Sequence, residues 1–400
     1  MVIAYVHQYF RTPDQGGCTR SYHLAKGLVA AGHTVKIITA RNERYEVQNI
    51  EGIRVHYLPV KYRNEFGFFR RIFSFIRFVR LAKKELTKLP KIDLAYVMTT
   101  PLTTGLIGLH LKRKRGVPYF FEVGDLWPEA PIQMEIIKSR MIKSLLYRFE
   151  EKCYSEANKV IALSPDIRNY IEKRSPSSRV YVIPNISHCD YFQPEVSLKK
   201  FSRKNPFNIG YIGTLGKANG LEALVNVARL CEKNKLPVQF HIMGSGAERH
   251  SLTEAMGSLS NVRYYDFGPK QKVKALLETM DGVYVSFKNV PVLATGSPNK
   301  LFDGLAAGKL IITNFKGWTK SIIENNHCGF THSPKKPEEF IEKLKPYFDD
   351  PNRLLVAQQN ARRLAEQFYD KQLLVGKLLN VIENHQSMTI DDSEIFILTG

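Results

Sequence analysis

The segment Ser297-Pro298-Asn299-Lys300-Leu301-Phe302-Asp303-Gly304-Leu305-Ala306-Ala307-Gly308-Lys309 carries the densest chemistry in the chain, and the apolar run Leu310-Ile311-Ile312-Thr313 follows it. It reads as a helix start, a cation, a carboxylate three residues after that cation, and a small-residue helix end leading into a strand. Exposed amides at a helix N-terminus favour an anion, and Ser297 and Asn299 suit such a start, capping those amides or leaving them free. Lys300 adds a point charge for a diphosphate. Asp303, about one turn on, lies on the same face and can accept from ribose hydroxyls. The chemistry is a grip on a nucleoside diphosphate, although the spacing also fits a capped helix packed against a strand.

Further segments stand after strand-like runs. Gly213-Thr214-Leu215-Gly216-Lys217-Ala218-Asn219-Gly220 precedes the apolar helix 221–230, and its glycines allow the backbone to approach phosphates closely. Lys217 is the second cation available to a diphosphate after Lys300. Met243-Gly244-Ser245-Gly246 has the same placement, with Gly244 as a cleft-lining candidate or a simple turn. Gln15-Gly16-Gly17-Cys18-Thr19-Arg20 sets paired glycines ahead of the apolar stretch from Leu24 to Val29, again placing amides at a cleft. Phe121-Glu122-Val123-Gly124-Asp125-Leu126-Trp127-Pro128-Glu129 joins three carboxylates to a Trp.

The 297–309 segment, Asp125-Leu126-Trp127-Pro128-Glu129 and Gly210-Tyr211-Ile212-Gly213-Thr214-Leu215-Gly216 together resemble the retaining GT-B glycosyltransferases of the family-4 type, in particular the branch that builds bacterial O-antigen and capsule subunits. The resemblance spans nearly the whole chain. It implies a nucleotide-sugar donor, UDP-linked and carrying an N-acetylated hexose or deoxyhexose, held by the second domain without a metal or other cofactor. It also implies an acceptor on the first domain and transfer with retention at the anomeric carbon. In such enzymes the loop matching Gly16-Gly17 closes over the transferring sugar and phosphate, which makes Gly16, Gly17 and Arg20 candidates. Tyr265-Asp266-Phe267-Gly268 matches the segment that meets the donor's base, although Phe267 also fits an aromatic strand end. Asp125 is the leading catalytic candidate, as base toward the acceptor hydroxyl or as a charge opposite an oxocarbenium-like transition state. Glu122 is the reserve, and Asp125 as an N-cap before Pro128 stays open.

Three departures from the family pattern stand out. An Arg and a Lys expected in the Gly-rich loop are replaced by Thr214 and Asn219, which leaves Lys300 and Lys217 as the cations. Of two acids expected eight positions apart, the first is Thr295 and the second Asp303 stands for Glu, so the sugar end of the pocket falls to Ala294-Thr295-Gly296. A His expected beside the acid of the first domain is Gly124. No Asp-x-Asp pair precedes the donor region, and the adjacent Asp pairs 349–350 and 391–392 read as solvated.

The segment from Phe66 to Lys84 is aromatic and basic, with no acid until Glu85. On a helix Phe68, Ile72, Phe75, Ile76 and Val79 make one face, and Arg70, Arg77, Arg80 and Lys84 gather on the other. With Phe69 and Arg71 they suit the surface of an anionic membrane, and equally an ordinary domain helix with a solvated basic back. Lys112-Arg113-Lys114-Arg115 is a second basic cluster. A peripheral membrane contact fits an acceptor built on a polyprenyl diphosphate; a saccharide acceptor stays open beside it.

These residues need a frame, and the chain is long enough for two cores. Its 400 residues suit two domains of roughly 150–200 residues each. An apolar fraction of 44% can build both. Strand-like runs alternate with amphipathic stretches twice over, which predicts an α/β protein of two doubly wound, Rossmann-like domains facing across a cleft. The expected divisions are an acceptor domain over 1–190, a linker over 191–206, a donor domain over 207–368 and a tail over 386–400. By the resemblance, a helix over 370–385 packs back on the first domain. Ligands should sit at the carboxyl ends of the strands.

The net charge of +20 is uneven: residues 1–200 hold 33 Lys and Arg against 18 Asp and Glu, or +15, leaving +5 for the rest. Such a first half expects an anionic partner. No nucleic-acid module is recognisable, which makes a basic nucleic-acid-binding protein the weaker alternative. A nucleotide-sugar 2-epimerase of the same fold is the nearest enzymatic one. Five scattered cysteines argue against a disulfide framework or a zinc site. No apolar run approaches the roughly 20 residues of a membrane span, and MVIAYVHQYF lacks a basic, long-apolar signal pattern. The expectation is a cytoplasmic protein held at the inner face of the membrane.

Overall fold

A computed structural model describes residues 1–63, 66–194 and 198–383. The apolar runs of the first half form one eight-stranded sheet. In chain order its strands are β1 (Val2–Val6), β2 (Thr34–Arg41), β3 (Glu46–Ile50), β4 (Ile53–Pro59), β5 (Leu94–Met98), β6 (Tyr119–Val123), β7 (Lys159–Ala162) and β8 (Val180–Val182). Their spatial order is β3-β4-β2-β1-β5-β6-β7-β8, and every neighbouring pair is parallel except the β3/β4 hairpin. Sequence patterning did not pick out that hairpin, because β3 is an edge strand that alternates half-buried and exposed residues. Its turn is set by Glu51 and Gly52, both at positive φ, where glycine carries no Cβ penalty.

The second half forms a six-stranded, all-parallel sheet from β9 (Phe207–Ile212), β10 (Val238–Met243), β11 (Val262–Tyr265), β12 (Gly282–Val285), β13 (Leu310–Thr313) and β14 (Gly329–Thr331). Its order is β11-β10-β9-β12-β13-β14. The central strands are buried along their length, as expected where helices cover both faces of a parallel sheet. β14 has three residues, too few for a periodicity to register.

Both sheets reverse direction of winding at one strand. β1 stands between β2 and β5, and β9 between β10 and β12. The crevice at the carboxyl end of such a strand is where open α/β sheets bind ligands. Gly16-Gly17 follows β1 and Gly213 follows β9, so the two glycine loops sit at the two switch points.

The last described helix, Lys371–Glu383, returns to the first domain. Its Leu374, Leu378, Val381 and Ile382 share a core with Leu24, Ala25 and Leu28 of helix Arg20–Ala30. Gly27 makes the approach possible, since a Cβ there would lie 2.2 Å from a Val375 methyl. Arg362 ties the crossing chain down, donating to the carbonyls of Cys189 (2.8 Å), Ala306 (2.6 Å) and Phe192. Residues 384–400, which include the expected tail, lie outside the described residues.

Candidate active site

The donor side is built on the turn after β9. Gly213 stands at φ +156, and the Lys300 side chain crosses directly over it: a Cβ at position 213 would sit 3.2 Å from Lys300 Cε. Lys300 Nζ donates to the Tyr211 hydroxyl at 2.9 Å and to the Asn219 side-chain oxygen at 3.0 Å, and it lies 4.2 Å from the centre of the Tyr211 ring. Burial among these neutral groups lowers its pKa to about 7. Such a cation is short of a charged partner, which a diphosphate would supply.

Helix Asn299–Ala306 begins with Pro298 at its N-cap and no side-chain cap. Ser297 therefore does not cap it. Its hydroxyl accepts from the Asn185 backbone N–H at 3.3 Å, and its carbonyl accepts from the Asn185 side chain, which ties the two domains together. The Asn299 side-chain oxygen accepts from the Cys18 thiol at 3.8 Å, another contact between domains. Asp303 faces Lys270, with 3.7 Å between oxygen and nitrogen. Burial raises the Asp303 pKa and the lysine opposes that rise.

Three donor-side expectations are corrected. Lys217 is exposed, in the short turn Lys217–Asn219, and does not line the cleft. Gly244 does not line it either: a Cβ there would fall 1.9 Å from the Gly213 carbonyl, so this glycine lets the two loops pack. Thr295 is turned away, its hydroxyl donating to the Val292 carbonyl and its own carbonyl accepting from Ser164 across the domain boundary.

Facing these groups, Gly16 and Gly17 stand at φ +66 and +88. A Cβ on Gly16 would lie 3.0 Å from the Gly268 carbonyl and 3.4 Å from the Phe267 ring, so the loop already touches the second domain. Asp125 follows β6. Its carboxylate accepts from the Thr100 hydroxyl at 3.3 Å and is open to the cleft, while the surrounding walls raise its pKa. It caps no helix: Glu129–Gln133 has Pro128 at its N-cap and no side-chain cap bond.

Glu122 and Arg20 prove to be structural. Glu122 is fully buried and Arg20 is 2% exposed. They form a two-point ion pair at 3.0 and 3.1 Å, with Tyr96 donating to the same carboxylate and Arg20 also donating to the carbonyls of Ile183 (2.9 Å) and Pro184. Buried behind these three donors, Glu122 is out of reach of an acceptor hydroxyl, and Arg20, buried with it, meets neither acceptor nor membrane.

One interdomain cavity of about 620 Å³ collects what remains. Asp125 and Gly17 line it from the first domain. Gly213, Thr214, Phe267, Ser297, Asn299, Lys300 and Asp303 line it from the second. Asn219, Thr100 and Asn185 belong to the same wall and were not singled out as site residues, since isolated polar residues carry no spacing signal. Among the described residues, no group of three or more His, Cys, Asp or Glu is placed to hold a metal ion.

The basic aromatic segment is helix Phe68–Thr87, turned differently from expectation. Phe75, Phe78, Val79, Ala82 and Leu86 are buried, while Phe69 is 83%, Phe73 65% and Ile76 43% exposed. Aromatic residues on every side of this helix left its phase open, and contact with the sheet chose the 75/78/79/82/86 stripe. Arg70, Arg77 and Arg80 are exposed beside Phe69 and Phe73; Arg71 donates to the Phe66 carbonyl at 2.9 Å. The Phe68 side chain lies outside the described residues. The second basic cluster is mostly engaged: Lys112 and Arg113 pair with Glu156, and Arg115 donates to the carbonyls of Leu86 and Leu89. No described helix is long and apolar enough to cross a membrane.

Residues 15–186 match the glycosyl transferase 4-like domain, and residues 193–364 match the glycosyl transferases group 1 family. None of the curated proteins matches in sequence. Among solved structures, the chain is similar to sucrose-phosphate synthase from Thermosynechococcus elongatus, with a TM-score of 0.76, 14% identity, and 96% of this chain and 98% of that one covered. It is similar to Anabaena HepE in complex with UDP-glucose, with a TM-score of 0.67, 15% identity, and 96% and 100% covered. It is also similar to WaaG, a glycosyltransferase involved in lipopolysaccharide biosynthesis, with a TM-score of 0.68, 18% identity, and 96% and 99% covered. At these identities the likeness is one of fold.

Proposed function

The chain belongs to the GT-B glycosyltransferase superfamily, and on that premise we propose that it transfers a sugar from a UDP-sugar to a lipid-linked or saccharide acceptor, with retention at the anomeric carbon. The observation that carries this reading is the convergence of Lys300, the uncapped start of helix Asn299–Ala306 and Asp125 on one cavity. Lys300 and the helix amides meet the charge of the departing diphosphate, and the reaction draws on no metal. Asp303 holds the ribose and Phe267 the base. The acceptor oxygen bonds to the anomeric carbon as the carbon–oxygen bond to the diphosphate breaks. Asp125 takes the acceptor's proton or stabilises the positive charge that develops on the sugar.

An N-acetylated hexose or deoxyhexose as donor sugar, and a place in bacterial surface polysaccharide synthesis, follow from the motif resemblance. The exposed face carrying Phe69, Phe73, Ile76, Arg70, Arg77 and Arg80 supports a peripheral contact with an anionic membrane at its cytoplasmic side, where a polyprenyl-diphosphate acceptor resides.

The test is a thermal-shift screen of the whole chain against UDP, GDP, ADP, NAD and UDP-sugars, since a ligand of the folded state raises apparent stability. Stabilisation by UDP and UDP-HexNAc supports the donor site, and the anomeric configuration of the product, read by NMR, tests retention. Absence of any nucleotide response overturns the donor assignment. Conversion of UDP-HexNAc without an acceptor favours a 2-epimerase.

A further inference from the structure

Asp303, the carboxylate assigned to the ribose, takes its cation from another helix. Lys300 stands three residues before it, a spacing at which the two side chains could pair. Lys300 instead turns to Tyr211 and Asn219 over the glycine loop, and Asp303 meets Lys270 of helix Lys270–Glu278 at 3.7 Å. Among the described residues, neither Lys270 nor Asp303 forms another ion pair.

Lys270 is not placed for the sake of its own helix. It is the first helical residue, where the backbone dipole disfavours a cation, and the first turn holds no acid to offset it. Its ammonium lies 5.6 Å from the centre of the Tyr191 ring and 5.4 Å from that of Phe192, within reach of cation–π attraction. Two rings from the chain joining the domains and one carboxylate therefore hold the lysine in place. The glycine loop of the first domain packs against the same helix start, since a Cβ on Gly16 would lie 3.6 Å from Pro269 Cα.

Asp303 lines the cleft and Lys270 does not. The lysine therefore acts on a nucleotide only through the carboxylate. A charged carboxylate accepts and never donates, which suits two ribose hydroxyls that donate. Burial disfavours that charge, and Lys270 opposes its loss.

We propose that Lys270 is a positioning residue for the nucleotide: it holds the Asp303 carboxylate in the cleft to accept from both ribose hydroxyls, so that the pair selects a ribonucleoside diphosphate over its deoxy counterparts. The inference rests on the donor reading of the cleft and deepens it. It adds a residue that no spacing marked, and it narrows the donor to sugars carried on ribonucleotides.

The test is a calorimetric titration of the full chain with UDP and with 2′,3′-dideoxy-UDP. The two share base and diphosphate, so the ratio of their affinities reports the hydroxyls and cancels any change at Lys300. The wild-type chain should prefer UDP at least about tenfold, the worth of a charged hydrogen bond. Lys270→Met should cut this preference to about a third or less, and Lys270→Arg should keep most of it. Asp303→Asn should cut it likewise. Adding Lys270→Met to Asp303→Asn should change it no further, since a residue that acts through another then has nothing to act on. If Lys270→Met folds poorly, Lys270→Gln carries the same comparison. The proposal is overturned if Lys270→Met weakens both nucleotides alike and leaves the preference intact, as a merely structural role would. It is also overturned if the double variant loses preference beyond Asp303→Asn, which would put Lys270 on the ribose itself. A wild-type chain that binds UDP without preference overturns it together with the ribose role of Asp303. Absence of UDP binding by the wild-type chain would overturn the donor site itself, and this proposal with it.

Discussion

Lys300 Nζ lies 3.0 Å from the Asn219 side-chain oxygen, so a cation carried by helix Asn299–Ala306 is delivered to the glycine loop after β9. The loop holds Thr214 and Asn219 where the motif resemblance leads one to expect an Arg and a Lys. Helix and loop thus share one charge, which comes from the helix. Lys300→Ala should weaken UDP binding about 10- to 100-fold, the range for losing a charged hydrogen bond of ~1.5–3 kcal/mol. Exchanging the two residues, Lys300→Asn with Asn219→Lys, should recover most of that loss in a titration. Full-strength UDP binding by Lys300→Ala would end the argument.

The same lysine makes donor binding depend on pH. Burial places its pKa at about 7 in the free protein, and a bound diphosphate favours the charged form, raising it. Between pH 7 and pH 9 binding must therefore recruit a proton, and UDP affinity should fall by up to tenfold per pH unit until the raised pKa of the complex is reached. Lys300→Arg, charged throughout, should show a flat profile over that range. A wild-type profile that is equally flat would contradict the assignment.

Asp125 touches the cleft without capping a helix, so its removal should separate chemistry from binding. Asp125→Asn is expected to keep UDP affinity and thermal stability while losing roughly 10²–10⁴ in turnover, the usual worth of a positioned base. Turnover within a few-fold of wild type would assign Asp125 a lesser role.

Glu122 should behave in the opposite way. Breaking a buried ion pair by removing one partner typically costs about 3–5 kcal/mol, and Arg20, at the buried start of helix Arg20–Ala30, would be left with its charge unmatched. Glu122→Ala should lower the urea midpoint steeply, and Arg20→Met with Glu122→Leu should lower it less. A stable but inactive Glu122→Gln protein would return Glu122 to the catalytic candidates.

Histidines buried as neutral rings set the acid limit of the fold. Burial lowers His7 to about 3, and burial together with Lys270 and Lys371 lowers His23 to about 3, against an unfolded value near 6.5. Above pH 7 neither state protonates them and they leave stability unchanged. As pH falls below 6.5 the unfolded chain gains protons that the folded one refuses, so stability drops toward pH 3. Urea midpoints at pH 7, 6 and 5 should decrease in that order; a constant or rising series would refute it.

Much of the frame was legible because strand identity is a local property. Runs such as Val2–Val6, Leu94–Met98 and Leu310–Thr313 are apolar and β-prone regardless of partners, and their alternation with helices predicts two doubly wound sheets. The β3/β4 hairpin and β14 were not legible, one being a half-polar edge and the other three residues long. The glycine loops were readable because each follows such a strand. The phase of helix Phe68–Thr87 was not, because aromatic residues surround it and only contact with the sheet selects which are covered.

What the sequence determined by itself was therefore the succession of elements, the glycine turns after β1 and β9, and the presence of Lys300, Asp303 and Asp125 at element ends. Tertiary structure alone decided which of these groups share a cavity. It buried Glu122 against Arg20, left Lys217 in solvent, turned Thr295 away, and brought Lys300 to Asn219. The reason is physical: the cost of burying a charge or an amide depends on partners tens or hundreds of positions away, and local spacing contains no record of them.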